Sequence, residues 1–309
     1  ASFSGGYYGI RVHLDPLVSL GGLLVGFTVG LTGMGGGALM TPMLVLLFNV
    51  NPLAAVSSDI VASVVMKPVG GTVHLRRGTV HTGIVRWLML GSIPAAFAGV
   101  LLLDLLRNGA ALDHRIKTML GGALLLAAAG MTARLLFQSH RHAATLPPAD
   151  VPVRALPTVL VGVAGGLIVG LTSVGSGSLM IVLLLVLYPR LQTSSLVGTD
   201  LVQAIPLVSS AALGHLLFGD FRLGLTTSLL IGCIPGVYVG ARLSSRAPDH
   251  AIRPVLVAVL VASALKLLGA ATGLSALVGI VLGVTTAVVT VRAARSMPVE
   301  GLAPSVAAA

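Results

Sequence analysis

The sequence predicts an all-α integral membrane protein with two inverted repeats, each a short broken-helix hairpin plus three longer transmembrane helices, and an extra C-terminal helix. Three observations support this class: high hydropathy, a motif that occurs twice, and an odd number of membrane crossings in each half. Of the 309 residues, 55% are hydrophobic and 9% are charged, and the mean hydropathy is +1.01. Soluble domains carry about 25% charged residues. Apolar runs near the roughly 20 residues of a membrane-crossing helix recur along the whole chain.

The composition argues against several other classes. A net charge of +10 would suit nucleic-acid binding in a soluble protein, but here the arginines lie mostly in short loops, where they set membrane topology. We therefore expect no nucleic-acid partner. The single cysteine, Cys233, excludes disulfides within the chain and makes a metal cluster unexpected, so we predict neither metal nor cofactor. The first residues, ASFSGGYYGIRVH, lack the apolar core of a signal peptide.

The two halves of the chain repeat one pattern. Gly30-Leu-Thr-Gly-Met-Gly-Gly-Gly-Ala-Leu-Met40 matches Gly170-Leu-Thr-Ser-Val-Gly-Ser-Gly-Ser-Leu-Met180. Val56-Ser-Ser-Asp59 matches Val197-Gly-Thr-Asp200, and Gly91-Ser-Ile-Pro94 matches Gly232-Cys-Ile-Pro235. Equivalent residues stand 140 positions apart in the first pair of motifs and 141 apart in the others. Chance does not keep this register, so the chain is a duplication.

The duplication predicts five parts. The first transmembrane repeat covers 14–137, a cytoplasmic linker 138–156, the second repeat 157–270, an extra transmembrane helix 271–292, and a cytoplasmic tail 293–309. The linker is polar and rich in proline, as expected of a connection between units. It contains His140 and His142, which we interpret as solvated loop residues because nothing nearby completes a set of metal ligands.

Each repeat is predicted to begin with two short segments and to continue with three longer ones. The predicted segments are 15–31, 35–48, 52–74, 82–103 and 114–137 in the first repeat, then 157–171, 175–188, 194–217, 223–243 and 251–268 in the second, and finally 274–291. The short pair adds no net crossing, whether it spans twice or dips in and returns. Three crossings therefore remain in each repeat, and the second repeat must be inverted relative to the first.

The basic residues agree with this arrangement. Most fall on one side of the predicted membrane, namely Arg76, Arg77, Arg141, Arg154, Arg190, Arg242, Arg246, Arg253, Arg292 and Arg295. Fewer fall on the other side, namely Arg11, Arg107, Arg115, Lys117 and Arg222. The positive-inside rule makes the first side cytoplasmic, with the N-terminus outside and the C-terminus in the cytoplasm of a multi-pass protein. Inverted repeats with interrupted helices are typical of secondary transporters.

The glycine motifs predict an anion site where the two hairpins meet near the middle of the membrane. Non-helical backbone at that depth survives only inside protein or beside a wet cavity, and a helix N-terminus beyond each turn favours negative charge. Close packing of small residues is the alternative explanation. The candidate substrate-binding residues at the tips are Gly33, Met34, Gly35, Gly36 and Gly37 in the first repeat, and Ser173, Val174, Gly175, Ser176 and Gly177 in the second, where Ser178 adds another hydroxyl.

A polar stripe follows each hairpin. In the first repeat Asp59, Ser63, Lys67, Gly70 and His74 share one helix face, and in the second Asp200, Gln203 and His215 do. Ionisable groups at membrane depth are costly and usually functional. We predict that Lys67 attracts the anion, with Ser58, Thr199 and Gln203 as further binding residues.

The acidic and imidazole groups of the stripe are candidates for proton coupling. Asp59 and Asp200 are predicted to lie in the first helical turn, where capping is an equally good explanation. His74 and His215 lie near helix ends, where contact with interfacial water is the alternative. For Lys67 the alternative is a side chain that extends to the cytoplasmic interface.

At these motifs the sequence resembles the TauE/SafE family of sulfite and organosulfonate exporters. The resemblance rests on the Gly30 motif with Pro42, the Val197-Gly-Thr-Asp200 stretch, Gly78, and the Gly91 and Gly232 runs with Gly99 and Gly240, and it covers nearly the whole chain. It implies export of small sulfur-containing anions, such as sulfite or sulfoacetate, across the bacterial inner membrane. In the family we expect small polar residues where Asp59 and Asp200 stand, so these carboxyls depart from the pattern.

Other functions remain alternatives. An anion channel, or a carrier of another small carboxylate or oxyanion, fits the same inverted repeats. An intramembrane serine protease is disfavoured because Val174-Gly-Ser-Gly177 lacks the first glycine of its motif, and the chain is not expected to be an enzyme. A metal-cation carrier would need more carboxylates at this depth. The expected partners are the small anion, a coupled proton and the lipid bilayer, and a homodimer stays open.

Overall fold

The chain folds into α-helices joined by short connections, in the order that its apolar segments predict. The structure is a computed structural model that describes residues 14–32, 36–106, 112–139, 148, 151–243 and 249–295. The helices found in these ranges are α1 Pro16–Thr32, α2 Gly37–Leu46, α3 Pro52–Arg76, α4 Thr82–Leu105, α5 Leu112–Ser139, α6 Ala155–Thr172, α7 Leu179–Leu187, α8 Thr193–Phe218, α9 Leu223–Leu243, α10 Asp249–Leu267 and α11 Thr272–Arg295.

Capping side chains explain where two of these helices begin. The carboxylate of Asp15 accepts hydrogen bonds from the N–H groups at the start of α1, and the amide oxygen of Asn51 does the same for α3. Each cap is followed by a proline, Pro16 or Pro52, which suits the first helical position because its missing N–H has no partner there. Capping side chains and proline thus fix both starts.

Six helices in the described residues are long and apolar enough to cross a membrane, judged by length and composition. These spans are Pro52–Arg76, Thr82–Leu105, Leu112–Ala133, Ala155–Thr172, Ser194–Phe218 and Leu223–Gly240. Large apolar side chains such as Leu24, Leu160 and Leu277 remain exposed on the outer helix faces, where lipid would contact them. The predicted all-helical, multi-spanning class is therefore confirmed.

The second segment of each hairpin is shorter than the sequence predicts. We expected 35–48 and 175–188, but α2 has 10 residues and α7 has 9. The difference arises at both ends, since residues 174–178 stay non-helical, Asn49 takes a left-handed conformation, and Pro189 follows α7 closely. At 1.5 Å per residue these helices are roughly 15 Å long, about half of the hydrocarbon core.

The repeats pack against each other through two helix pairs, each with one helix from either repeat. The first helix of one repeat contacts the fourth helix of the other in both cases, α1 with α9 and α4 with α6. Glycines allow the backbones to approach closely. A Cβ atom on Gly166 of α6 would lie 2.4 Å from the carbonyl oxygen of Ser92, and one on Gly232 of α9 would lie 1.8 Å from that of Ser19. Small residues favour such contacts in lipid, where apolar burial does not drive helix association.

The neighbours of individual glycines give the direction of each packed pair. Along α1 and α9, Gly22 lies beside Leu229 and Gly240 lies beside Leu31, so these two helices run parallel. Along α4 and α6, Gly162 lies beside Leu88 and Gly170 beside Ala96, which is again parallel.

The equivalent helices α3 and α8 run antiparallel at the centre of the fold. Gly198, near the start of α8, lies beside His74, near the end of α3. Ser57, near the start of α3, contacts His215, near the end of α8. Two apolar cores flank this central pair, one including Leu44, Leu124 and Leu260, and the other including Ile60, Leu88 and Leu184. The polar stripes of both repeats therefore lie inside the protein.

Candidate anion site

The turn of the second hairpin, which we call the second tip (residues 173–178), has a backbone that requires small residues. Ser173 ends α6 in a left-handed conformation with φ 62°, and Gly175 and Gly177 have φ of 125° and 98°. Positive φ of this size strains residues with a side chain but not glycine. Of the first tip, Gly33, Met34 and Gly35 lie outside the described residues, whereas Gly36 and Gly37 lie within them.

The two hairpins touch at Gly37 and Ser173. A Cβ atom on Gly37 would lie 1.9 Å from the backbone oxygen of Ser173, which is too close for any side chain. Gly36 differs, because a Cβ there would lie 3.7 Å from the terminal methyl group of Met66, an ordinary contact. Of the two described glycines in the first tip, Gly37 is therefore the one at which contact with the second hairpin leaves no room for a side chain.

Asp59 joins both hairpins from the middle of the fold. Its Oδ2 atom accepts a hydrogen bond from Thr41 of α2 at 2.6 Å and another from Ser173 at 2.9 Å. The residue is fully buried, and its Oδ1 atom has no hydrogen-bond partner. Buried polar atoms are nearly always bonded, so this oxygen is an exception with a cost.

The two aspartates are not helix caps. Asp59 is the eighth residue of α3 and Asp200 the eighth of α8, and neither helix has an acidic residue in its first turn. The prediction that they lie in the first turn is therefore wrong. The predicted segments, which begin at 52 and 194, already place both residues beyond the first turn, and the observed helices begin at Pro52 and Thr193.

Lys67 is buried and does not extend to the interface. Its side chain is 8% exposed, and its ammonium group donates a hydrogen bond to the hydroxyl of Ser176 at the second tip. Lys67 also interacts electrostatically with both Asp59 and Asp200. It thus supplies positive charge between two carboxyls, one from each repeat.

Asp200 belongs to a second polar network. The side-chain amide of Gln203 donates a hydrogen bond to Asp200 Oδ1 at 3.0 Å, and the hydroxyl of Ser92 donates to the amide oxygen of Gln203 at 3.2 Å. All three side chains are buried. The network connects α8 to α4.

The histidines lie at opposite ends of the central helix pair. His215 is fully buried, so its ring does not face interfacial water. Its ring nitrogens form hydrogen bonds with the hydroxyl of Ser57 and the backbone oxygen of Gly170. His74 is half-buried and pairs with Thr79 in the turn after α3. Among the described residues, the hydrogen bonds of both rings go to groups outside the two tips.

The remaining predicted binding residues are buried but lie in different settings. Thr199 accepts a hydrogen bond from the backbone N–H of His81, which ties it to the start of α4. The hydroxyls of Ser58 and Ser178 are buried without a hydrogen-bond partner. Val174 is fully buried within the second tip. Ser178 stands before α7 without bonding to its backbone, so its hydroxyl remains able to bind a ligand.

Sequence reasoning missed Thr41, Ser92 and Ser57 as members of these networks. Each carries a weak signal in the repeat comparison: Thr41 directly follows the glycine motif, Ser92 lies in the repeated Gly91-Ser-Ile-Pro94 run, and Ser57 precedes Ser58 and Asp59. None of these signals identifies the partner, because the partner lies on another helix.

The chemistry of the site suits a small anion. An ammonium group, serine hydroxyls and the N-terminal end of α7 come together, and all of them favour negative charge. In the described part of the chain, no group of three or more histidine, cysteine, aspartate or glutamate side chains comes together.

The family model and the similar proteins found by comparison all describe membrane transporters. A family model described as "Sulfite exporter TauE/SafE" matches residues 18–267. Two proteins of Bacillus subtilis (strain 168) are similar over most of both chains. "Probable membrane transporter protein YjnA" is 37% identical over 81% of this chain and 98% of its own, and "Probable membrane transporter protein YdhB" is 26% identical over 78% and 94%. No solved structure matches.

Proposed function

Because the chain belongs to the sulfite exporter TauE/SafE family of membrane transporters, we propose that it is a secondary active exporter of small sulfur-containing anions such as sulfite or sulfoacetate. The observation that carries the proposal is the buried ammonium of Lys67 hydrogen-bonded to Ser176 at the second tip. The ammonium is a charged donor at the hairpin tip, and hydrogen bonds from a charged donor favour an anionic ligand.

The two repeats are inverted, with the first hairpin entering from outside and the second from the cytoplasm. Support comes from the antiparallel packing of α3 against α8, which are equivalent helices. The parallel pairs α1 with α9 and α4 with α6 fit the same arrangement. Within a repeat the first and fourth helices run in opposite directions, so inverting one repeat makes its fourth helix parallel to the first helix of the other. In this orientation the N-terminus is outside and the C-terminus cytoplasmic.

Transport occurs by alternating access, in which the hairpins expose the site to one side at a time. The burial of Asp59, Lys67, Asp200 and Gln203 supports this mechanism, because an ion reaches such groups only after the surrounding helices move. An anion channel is the alternative, and it would need a continuous wet path past the same residues.

A proton is the coupling ion. Asp59 and Asp200 are the acidic side chains at the site, and an ionised carboxylate buried near a bound anion is costly unless it takes up a proton. His74 and His215 are alternative proton carriers at the two ends of the central helix pair.

Reconstitution tests this function directly. Purified protein is reconstituted into liposomes, and radiolabelled sulfite or sulfoacetate is supplied on one side of the membrane. The anion flux is then measured as a function of anion concentration. A carrier gives flux that saturates and that responds to an imposed pH gradient. Flux that rises linearly with concentration supports the channel, and no flux above that of empty liposomes contradicts transport of these anions.

A further inference from the structure

The buried imidazole of His215 joins three helices at one end of the central pair. Its Nδ1 atom lies 2.9 Å from the hydroxyl oxygen of Ser57, at the start of α3, and its Nε2 atom lies 2.9 Å from the backbone oxygen of Gly170, near the end of α6. We call the contacts of His215 with Ser57 and Gly170 the His215 latch. The latch connects α8 with α3 of the other repeat and with the second hairpin, because Gly170 lies three residues before the second tip.

The direction of each hydrogen bond in the latch follows from its partners. A backbone oxygen only accepts, so Nε2 of His215 carries a proton and donates to Gly170. Ser57 and His215 are both fully buried, which favours the neutral ring, and Nδ1 of that ring accepts the hydroxyl proton of Ser57. The hydroxyl oxygen of Ser57 in turn accepts from the backbone N–H of Asp220 at 3.2 Å. Every polar atom of the two buried side chains therefore has a partner, which stabilises this arrangement.

The turn after α8 leaves room for the serine hydroxyl. Gly219 has a φ of −87°, which suits any residue, so its conformation does not require glycine. The space does, because a Cβ atom there would lie 2.6 Å from Oγ of Ser57. The absence of a side chain at Gly219 thus allows Ser57 to reach both His215 and the backbone of Asp220.

The equivalent residues at the other end of the central pair are bonded differently. The repeat offset pairs His215 with His74, and Ser57 with Gly198, which has no hydroxyl. Nδ1 of His74 pairs instead with the hydroxyl of Thr79, five residues further along the same repeat, at 2.9 Å. Separating α3 from α8 would keep the bond between His74 and Thr79, but it would break the bond between His215 and Ser57. The Nδ1 bond therefore joins the two repeats at the His215 end.

The latch lies to one side of the candidate anion site. Ser57 and Lys67 are ten residues apart, which corresponds to roughly 15 Å along a helix. In the proposed orientation α3 begins outside, so the latch lies between the site and the outer surface. Phe97 of α4 and Phe218 at the end of α8 pack edge to face at the same end, with their ring centroids 6.2 Å apart. The outer end of α8 is thus held by both polar and aromatic contacts.

We propose that the His215 latch is the outer gate of the transport path, and that it breaks when the anion site opens to the outside. The inference rests on the proposed alternating access and orientation, and it assigns a named contact to that mechanism. Breaking the latch separates the start of α3 from the end of α8 and releases α6, which leads to the second tip and its Ser176. Water can then bind the freed ring nitrogens and hydroxyl, which offsets part of the lost contacts and keeps the open state accessible.

Labelling of a single cysteine tests the gate. Cys233 is replaced by serine, and the reporter is Ser63→Cys, a buried position of α3 between Ser57 and Lys67. An impermeant thiol reagent is added to intact cells, and the rate of labelling is measured. The additional change Ser57→Ala removes the latch hydroxyl. The reporter should then react about tenfold faster than in the parent protein, because the loss of one buried hydrogen bond shifts an equilibrium by about that factor.

A second variant breaks the latch without removing either of its side chains. Gly219→Ala places a methyl group against Oγ of Ser57 and displaces the hydroxyl, so it should also accelerate labelling from outside. Thr79→Val is the matched control, because it removes the hydroxyl that pairs with Nδ1 of His74 at the opposite end. Labelling from outside should stay at the parent rate in this control.

The outcomes separate the gate from the proposed function. Equal labelling rates in Ser57→Ala, Gly219→Ala and the parent protein would overturn the gate, and so would an equal acceleration in Thr79→Val. Acceleration that appears only in inside-out vesicles would contradict the outer position of the latch. Wild-type proteoliposomes that move neither sulfite nor sulfoacetate would contradict the proposed function, whereas the labelling rates require no transported anion.

Discussion

The ammonium group of Lys67, on α3, donates a hydrogen bond to the hydroxyl of Ser176, at the tip of the second hairpin. The contact joins the central helix of one repeat to the broken hairpin of the other. It leaves the hydroxyl hydrogen of Ser176 and the remaining N–H groups of Lys67 able to bind an anion. The pair therefore places a charged donor and a neutral donor side by side.

Ser176→Ala tests the neutral donor of this pair. Hydrogen bonds that involve a charged group contribute about 1.5–3 kcal/mol, so we expect anion affinity to fall roughly tenfold or more. Isothermal titration of the purified protein with sulfite measures the change. Ser209→Ala removes an exposed hydroxyl bonded to its own helix and serves as the matched control. Equal affinity in Ser176→Ala and wild type would show that this hydroxyl does not contact the anion.

Gly37 and Gly36 form a natural comparison at the first hairpin. Gly37→Ala places a methyl group against the backbone oxygen of Ser173 and should separate the hairpins, whereas Gly36→Ala finds space beside Met66. Overpacking of this kind typically costs about 1–3 kcal/mol. We expect strongly reduced uptake in Gly37→Ala and near-normal uptake in Gly36→Ala, both measured in proteoliposomes. The reverse order would mean that the hairpins do not meet at this contact.

Gly166 tests the packing of the two repeats. Its Cβ would lie 2.4 Å from a backbone oxygen of α4, while a Cβ on Gly122 of α5 meets nothing within 4 Å. Gly166→Ala should therefore lower the thermal unfolding midpoint in detergent. Gly122→Ala should keep or raise it, because alanine favours a helix over glycine by up to about 1 kcal/mol. Similar midpoints in the two variants would contradict the close approach of α4 and α6.

The inverted topology is tested with single cysteines at Arg77 and Asp220, introduced after Cys233 has been replaced by serine. These positions flank Gly78 and Gly219, which are equivalent in the two repeats. Inversion places the two turns on opposite sides of the membrane. In intact cells an impermeant thiol reagent should label the cysteine at 220 and spare the one at 77. Labelling of both from the outside would mean that the repeats have the same orientation.

Much of the fold follows from pattern alone. Runs of apolar residues define the helices, and the repeated motifs identify α3 and α8 as equivalents whose polar stripes face inward. Lys67 is recognisable in the same way, because a lysine far from either end of an apolar helix is expensive unless it has a function. The short second segments of the hairpins were overestimated, since hydropathy does not distinguish an apolar turn such as 174–178 from an apolar helix.

The hydrogen-bond partners within the site could not be predicted. The carboxyls Asp59 and Asp200 look alike in sequence, but their environments depend on which neighbouring helix carries an oxygen or an amide at the right height. Thr41 and Ser92 lie far from these partners along the chain and gain their roles only through packing. Comparing the repeats identifies equivalent positions such as Asp59 and Asp200. It does not identify their hydrogen-bond partners, because the residues that make these contacts differ between the repeats.

The most direct test of the account is equilibrium binding of small anions to purified wild-type protein, Lys67→Met and Lys266→Met. The panel contains sulfite, sulfonates, sulfate and carboxylates. Lys266 is an exposed lysine of α10, which makes it the matched control for the buried Lys67. The account predicts saturable binding of a small sulfur-containing anion by wild type and Lys266→Met. It predicts binding at least about tenfold weaker in Lys67→Met, with a smaller change in thermal unfolding. Binding by Lys67→Met that equals wild type, or wild-type protein that binds none of the panel, would contradict the site proposed between the hairpins.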